Sequence, residues 1–207
     1  MKRLIITAFT VSCLLCVPSH AADAPKRIVS LAPSMTELLF AFGLEERIVG
    51  VTNFCDYPEG AKKKPKIGGM SNPSLEAVIT LKPDLVVMTV DGNPREFEER
   101  LRSLKIKTYV FRRMRLLEFP QGIREAGAAL GVGEKADAIA GGIEKTLEKF
   151  RTAKRPVHKK KILFIVWPEP LIVAGRGSIA DDVISILGEE NIAGDSKTPY
   201  PKYSIEE

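Results

Sequence analysis

Short apolar runs alternate with segments of helical periodicity through the first half of the chain. Helical patterns cover residues 34–43, 73–82 and 93–105, and strand-like, β-branched runs cover residues 27–32, 47–53, 83–90 and 107–111. Strands that alternate with helices favour parallel pairing through crossover helices. The pattern therefore predicts a three-layer α/β unit in this half of the chain.

The first helical pattern carries a start and a stop signal. Ser34 precedes its apolar residues, Glu37 stands three residues later, and Gly43 follows the last of them. Serine commonly caps free N–H groups at a helix start, and glycine commonly ends a helix in a left-handed conformation. We expect Ser34 to be the N-cap and Gly43 to end the helix. Ser74 is placed in the same way before the second helical pattern.

The alternation stops between residues 117 and 152, where only helical periodicity is present apart from a break at 131–134. Gly141 and Gly142 lie within the second helical segment. Because each glycine costs a helix about 1 kcal/mol relative to alanine, we expect close packing or a bend there. A basic run at 154–161 follows. We interpret it as a solvated hinge surface, with phosphate binding as the alternative.

The last fifty or so residues repeat the plan of the first lobe. Residues 161–167 correspond to the first strand, and residues 177–207 contain a Ser-capped helix, two acids, a strand, a Tyr-Pro loop and a Ser-x-Glu helix start. The first copy of this plan continues for about 35 residues beyond the equivalent of residue 207. We therefore expect a second lobe that is incomplete, and a naturally minimal second lobe is the alternative.

The first residues have the composition of an export signal. Lys2 and Arg3 precede an apolar run that ends at Val17, and Ser19 and Ala21 stand at the cleavage spacing. The run is shorter than the roughly 20 residues that span a bilayer, and an uncleaved anchor is the alternative. We predict a signal peptide at 1–21 that is cleaved after Ala21, an N-terminal lobe at 22–116, a helical linker at 117–157 and a partial second lobe at 158–207.

Charge and residue counts narrow the classes of function. The formal charge is +5, and loss of Lys2 and Arg3 with the signal would leave +3, which is too small to favour a nucleic-acid partner. Cys55 and His158 would be the only cysteine and the only histidine left. We therefore expect no intrachain disulfide and no metal site. We also expect no intrinsic cofactor and a monomeric protein.

Aromatic residues are concentrated in loops that would border a cleft between two lobes. In open α/β sheets, ligands bind beside the loops that follow the carboxyl ends of the strands. Facing rings can hold a large flat ligand without charge pairing, because each ring buries about 150–250 Å². The loop residues in question are Phe54, Asp56, Tyr57, Met70, Trp167, Tyr200 and Tyr203.

Four segments together resemble the periplasmic vitamin B12-binding proteins of ABC importers: RIVSLAPSMTELLFAFGLEERIVGV, DYPEG, SLEAVITLKPDLVV and YPKYSIEE. This group belongs to a wider class of substrate-binding proteins with a rigid helical backbone, which also carry haem, siderophores and metals. The resemblance covers about Arg27 to Glu207. It implies an α/β fold of two Rossmann-like lobes with parallel central sheets, joined by one long helix at about Glu134 to Thr152.

The resemblance also implies a function. The protein would be a periplasmic binding protein rather than an enzyme. It would capture a corrinoid such as cobalamin between its lobes and deliver it to the permease subunits of an ABC importer at the inner membrane. Haem, an iron–siderophore or another metal chelate is the alternative ligand.

Single residues carry over from the resemblance by position. The places that hold the corrin ring correspond here to Phe54, Met70, Thr89, Ile172 and Tyr200. Phe54 and Tyr200 keep an aromatic ring, and the polarizable sulfur of Met70 can pack on a flat macrocycle. Trp167 is a further candidate ring close to Ile172, and Asp56 is a candidate in the loop of Phe54. Docking on the permease would use one surface glutamate from each lobe, Glu76 and Glu206, each of which meets arginines.

Two other classes of function remain open on the residues alone. The segment AGRGS at 174–178 precedes a helix and could bind an anion in an α/β enzyme. It lacks the third glycine of a dinucleotide site and the lysine of a P-loop, and the histidine for a catalytic triad would have to be His158 in the basic linker. An interaction module would explain the fold and the export signal, but not the aromatic loops.

Overall fold

The computed structural model describes residues 24–155 and 157–204, so the predicted signal peptide and its cleavage site lie outside the described residues. The first lobe is built on a four-stranded parallel sheet in the order β2-β1-β3-β4. Its strands are β1 (Ile28–Ser30), β2 (Ile48–Val51), β3 (Leu85–Thr89) and β4 (Thr108–Phe111). The predicted α/β unit is confirmed.

Helices cover both faces of this sheet and continue into the linker. The first lobe contains α1 (Pro33–Ala41), α2 (Glu59–Lys62), α3 (Leu75–Thr80) and α4 (Arg95–Ser103). The linker contains α5 (Phe119–Leu130) and α6 (Gly133–Thr152). Short 3-10 turns lie at Glu45–Arg47 and Leu116–Glu118. The long helix predicted at about Glu134 to Thr152 is thus α6.

The helix ends agree with the predicted signals at two positions and differ at one. Gly43, which follows the C-cap residue Phe42 of α1, has φ +71°, and Ser74 accepts a hydrogen bond of 3.2 Å from the Ala77 N–H at the start of α3. Ser34 is not the N-cap of α1, because this helix begins at Pro33 with Ala32 in the cap position. A proline suits the first helical position, since its φ is already helical and it has no N–H to leave unpaired.

The core has two layers, one on each face of the sheet. Adjacent strand residues alternate between the layers, so Ile28 packs with α1, α5 and α6 while Val29 packs with α3 and α4. Both side chains are fully buried. This two-sided burial explains why the central strands, β1 and β3, are mostly apolar in the sequence.

Gly141 and Gly142 do not provide the close packing that the sequence predicts. A Cβ atom built at either position has no neighbour within 4 Å, and α6 is continuous through both residues. Ala136 and Ala140 are fully buried in the core instead, and Ala136 packs against Gly127 of α5.

Alanine at Gly141 or Gly142 is therefore expected to raise the free energy of unfolding by about 0.5–1 kcal/mol, because it restricts the unfolded chain without a steric cost. The midpoint of urea denaturation at an unchanged m-value measures this effect. Gly127→Ala in α5 is the matched control and should destabilise, since its Cβ would lie 2.1 Å from the Cβ of Ala136. Destabilisation by Gly141→Ala would contradict the open surroundings of this residue.

The second lobe repeats part of the first. Its elements are β5 (Lys161–Ile162), β6 (Ile165–Pro168), β7 (Leu171–Val173), α7 (Ile179–Ile186) and β8 (Glu190–Asn191). The parallel pair β5 and β8, with α7 between them in the chain, corresponds to β1, α1 and β2. Ser178 caps α7, because its hydroxyl accepts a hydrogen bond of 3.1 Å from the Asp181 N–H.

The segment 161–173 differs from its prediction. The predicted single strand at 161–167 is divided, and the predicted loop that follows contains β7, which pairs with β6 in an antiparallel hairpin. The turn contains a cis Glu169-Pro170 peptide bond. The apolar, mostly β-branched residues of β7 pair back on β6, which the repeat did not indicate because the first lobe has no hairpin at this position.

Two arginines outside the second lobe hold the ends of α7. Arg115, just before the linker, donates to Asp182 in the first turn, with Nε 2.8 Å from Oδ2, and the Leu116 N–H donates to the same oxygen at 2.8 Å. Arg155 donates to the carbonyl oxygens of Ser185 and Ile186 at 3.1 and 2.8 Å. The negative side chain lies at the amino end of the helix and the positive one at its carboxyl end, as the helix dipole favours.

Candidate functional site

A cavity of about 820 Å³ lies where the carboxyl edge of the first sheet meets the linker helices and α7. Thr89 and Asp91 reach it from the end of β3, Phe111 and Arg113 from the end of β4, and Ile179 from α7. The rest of its wall is mostly apolar and includes Met35, Leu38, Phe119, Ile123, Ile139 and Ile143. Its volume falls within the range of about 300–1,000 Å³ typical of small-molecule sites, and the carboxyl edge is where α/β folds bind ligands.

The opening continues onto the second lobe. Ile179 also lines an apolar groove of about 430 Å³, together with Phe164, Val166 and Tyr200. Burial raises the pKa of Tyr200, and the charge of the Asp91 carboxylate raises it further. Asp91 of the first lobe and Tyr200 of the second therefore lie close enough to interact electrostatically, and the phenol keeps its proton at neutral pH.

The loop after β2 presents two aromatic rings to solvent. Phe54 is 64% exposed and Tyr57 is 66% exposed. Tyr57 lines the cavity, and the ring of Phe54 lies beside Gly69 in the next loop. Asp56, between them, is also exposed. Aromatic rings are usually buried in a core or an interface, so the exposure of these two rings indicates a binding surface.

Lys66 fixes the backbone of this loop from below. Its ammonium group donates to the carbonyl oxygens of Cys55 at 2.9 Å and of Thr52 and Ala61 at 3.4 Å each. The buried Cys55 thiol lies 3.1 Å from the Thr36 and Thr52 hydroxyl oxygens. The two exposed rings therefore project from a loop whose backbone is hydrogen-bonded to Lys66 and whose Cys55 side chain is buried.

Asn93 connects three segments at the floor of the site. Its side-chain amide donates to the carbonyl oxygens of Leu31 at 2.8 Å and of Met70 at 2.9 Å, and its oxygen accepts from the Thr89 N–H at 2.8 Å. Met70 is half-buried beside Gly92, and Thr89 is only 8% exposed. Both predicted ligand residues are thus held in place, and Thr89 offers little surface to a ligand.

The roles of Lys66 and Asn93 were not predicted from the sequence. Asn93-Pro94 is a turn signal, but nothing in the sequence indicates that this amide reaches Leu31, 62 residues away. Lys66 belongs to a run of lysines that resembles any solvated surface.

Asn93→Ala should lower the free energy of unfolding by about 1–3 kcal/mol, because it leaves half-buried backbone groups without partners. Amide exchange at Thr89 should rise with it, as that N–H loses its acceptor. Asn72→Ala is the control, since Asn72 is exposed and its side chain has no hydrogen bond to another described residue. Equal stability of the two variants would contradict the role assigned to Asn93.

Trp167 and Ile172 lie in the hairpin of the second lobe. They are cross-strand partners on β6 and β7, and the Trp167 indole N–H donates to the Glu169 carbonyl oxygen at 2.9 Å. Trp167 is 59% exposed. Neither side chain lines the cavity or the adjoining groove. Of the candidate ligand residues, Thr89 and Tyr200 line these openings, and Phe54, Asp56 and Met70 lie in the loops beside them. The hairpin pair lines neither opening, although Ile172 pairs with Lys202 in the loop of Tyr200.

The structure describes only one of the two predicted docking residues. Glu76 is exposed in the first turn of α3, and the capping hydrogen bond there runs between Ser74 and Ala77 without it. Glu206 lies outside the described residues. Their role in docking stays a prediction.

The anion site considered at 174–178 is occupied by the chain itself. The Gly177 N–H donates to the Asp181 carboxylate at 2.9 Å, and Ser178 caps the same helix. Within residues 24–155 and 157–204, no three His, Cys, Asp or Glu side chains are grouped so that they could hold a metal ion. In the same part of the chain, no helix combines the length and apolar character that crossing a membrane requires.

Two α/β lobes, a helical connection and a ligand-sized cavity where they meet define the class of two-lobed binding proteins. The chain belongs to the periplasmic binding protein family, whose model matches residues 28–207. Members of this family are substrate-binding proteins and not enzymes, which agrees with the predicted class.

Curated relatives agree with the resemblance stated from the sequence. The vitamin B12-binding protein of Pectobacterium carotovorum subsp. carotovorum is 29% identical over 196 residues, which cover 94% of this chain and 70% of the relative. The vitamin B12-binding protein of Salmonella typhimurium is 32% identical over 197 residues, which cover 95% of this chain and 73% of the relative. The resemblance to vitamin B12-binding proteins that the sequence predicts is thus confirmed.

Solved structures share the fold. The periplasmic vitamin B12-binding protein BtuF of Vibrio cholerae has a TM-score of 0.77 at 30% identity, over 88% of this chain and 72% of that one. The periplasmic haem-binding protein RhuT of Roseiflexus sp. RS-1 has a TM-score of 0.79 at 30% identity, over 87% of this chain and 71% of that one. The fold therefore suits both kinds of ligand.

Proposed function

We propose that this protein captures a corrinoid in the cleft between its lobes and delivers it to an ABC importer. The observation that carries the proposal is the pair of exposed rings, Phe54 and Tyr57, beside an apolar cavity on a loop to whose backbone Lys66 is hydrogen-bonded. A preformed aromatic surface binds a flat macrocycle without the cost of ordering a loop. The names of the curated relatives support a corrinoid as the ligand.

Haem is the second candidate ligand. It is supported by the haem-binding protein RhuT, which is as similar to this chain in sequence as the vitamin B12-binding protein BtuF is. A porphyrin is also flat and largely apolar, so aromatic rings alone do not separate the two ligands.

Phe54→Ala and Tyr200→Ala should each weaken binding by about 1–3 kcal/mol, because each ring loses apolar contact with the ligand. This corresponds to roughly a 5- to 150-fold rise in Kd. Absorbance titrations with cyanocobalamin, dicyanocobinamide and haemin measure it. Phe150→Ala on α6 is the control, since this ring is also exposed but lies away from the cleft loops. Binding of haemin or a siderophore without any corrinoid would favour the alternative ligands.

Delivery requires an importer as partner and a location in which the two proteins meet. We propose that the partner is an ABC importer permease and that Glu76 and Glu206 dock on it. We further propose that the protein acts in the periplasm after cleavage behind Ala21, for which the family description and residues 1–21 are the support. N-terminal sequencing of the exported protein should find Ala22 first, whereas an intact Met1 would exclude cleavage.

A further inference from the structure

The cavity between the lobes carries negative charge that no cation on its wall offsets. Glu37 and Asp91 line it, and neither carboxylate has a hydrogen bond or ion pair with another described residue. Arg113 is the one basic side chain on its described wall. Its guanidinium already pairs with Glu125, with Nη2 2.5 Å from Oε1 and Nε 3.3 Å from Oε2.

This pairing removes Arg113 as a partner for an anionic ligand. The hydrogen bonds to Glu125 raise the pKa of Arg113, and those from Arg113 lower the pKa of Glu125, so each group holds the other in its charged form. No lysine lines the described part of the cavity, and in the neighbouring loop Lys62 pairs with Glu59 at 2.8 Å while Lys66 donates to backbone carbonyls.

The wall around these carboxylates strengthens their effect. Most of the lining is aliphatic or aromatic, and a bound ring would displace water from it. Charges act over longer range when the material between them has a low dielectric constant. A carboxylate on a ligand would therefore meet two like charges at the mouth of an apolar cavity.

We propose that the cleft selects a flat ligand whose rim carries uncharged hydrogen-bond donors, such as primary amides, and rejects one whose rim carries carboxylates. This inference rests on the proposed function. Amide N–H groups would donate to Glu37 and Asp91, and the protonated Tyr200 hydroxyl would donate to an amide oxygen. Glu37 and Asp91 would repel a rim of carboxylates. Arg113 could not pair with such a rim, because it is already paired with Glu125.

Two matched ligand pairs test the proposal at low ionic strength. Dicyanocobinamide and dicyanocobyrinic acid share one ring and differ in amides against carboxylates. Haemin and its dimethyl ester differ in carboxylates against uncharged esters, which lack donors, so this pair tests the repulsion of charge alone. In each pair for which binding is detected, the ligand with the uncharged rim should bind about tenfold or more tighter than the ligand with the carboxylates. The difference should shrink as salt is added, because the two cleft carboxylates are exposed.

The variant that combines Glu37→Gln and Asp91→Asn should reduce this preference to about threefold or less. Glu76→Gln is the matched control, because it also removes an exposed carboxylate but lies on α3, and it should leave the preference unchanged. Equal binding of amide and acid forms, or a preference that survives the double substitution, would overturn the inference and leave the proposed function standing. Failure of all four ligands to bind would overturn both.

Discussion

Asp182→Ala is expected to release α7 from the first lobe and to raise amide exchange in this helix by about tenfold or more at neutral pH. The Asp182 carboxylate accepts from Arg115 and from the Leu116 N–H, and its side chain is 13% exposed. Arg115 is half exposed, so its ion pair alone contributes little. The backbone hydrogen bond to a shielded carboxylate contributes more, about 1.5–3 kcal/mol.

The second lobe should respond strongly because its core is small. Val173, Ala174, Ile184 and Ala193 are its buried apolar residues among those described, while Phe164, Trp167 and Ile192 are about half exposed. Little apolar burial is available to hold α7 once its amino-terminal contact is lost. Exchange measured by mass spectrometry should therefore rise in α7 and β8 and stay unchanged in β1 and β3.

The same contact predicts a pH dependence. Burial alone raises the pKa of Asp182, but the hydrogen bonds from Arg115 and Leu116 outweigh burial, so the pKa lies below its ordinary value of 3.8. The stabilisation is therefore complete above that value and is lost as pH falls below it. Asp195→Ala, which removes an exposed acid of the same lobe, is the control. If amide exchange in α7 is no faster in Asp182→Ala than in Asp195→Ala, Asp182 does not couple the lobes.

The fold was predictable from the sequence where a local pattern and burial agree. The two central strands of the first lobe, β1 and β3, are buried on both faces, so they appear as mostly apolar runs. The predictions failed where two local signals compete. Pro33 and Ser34 both favour a helix start, and the proline lies one position earlier. The β6–β7 hairpin escaped prediction because the repeat supplied no equivalent for β7.

The loops of the candidate site were predictable from the sequence, but the long-range contacts that hold those loops and the second lobe in place were not. The aromatic residues after β2 stand out because they follow a buried strand. Asn93 and the Arg115–Asp182 pair act over 62 and 67 positions of sequence. Such contacts depend on how the strands are ordered in the sheet and on how the lobes are placed, which one sequence does not specify residue by residue.

Glu76→Arg combined with Glu206→Arg is expected to abolish the stimulation of importer ATPase activity by the loaded protein, while ligand affinity is unchanged. Glu76 is exposed in the first turn of α3, away from the cavity lining, and the repeat places Glu206 at the equivalent point of the second lobe. Single exposed ion pairs contribute only about 0–1 kcal/mol and are screened by salt. Two charges on pseudo-symmetric lobes would mainly set orientation and encounter rate, so reversal of both should prevent productive docking.

The assay requires the importer in liposomes, with the ligand that the protein binds and with ATP hydrolysis as the readout. Each single reversal should give an intermediate loss that is larger at low ionic strength, because the attraction is electrostatic. Glu96→Arg is the matched control, since it reverses an exposed acid in the first turn of α4 on the same lobe as Glu76. If the double variant stimulates hydrolysis as well as this control does, the two glutamates do not dock the protein, and its permease surface lies elsewhere.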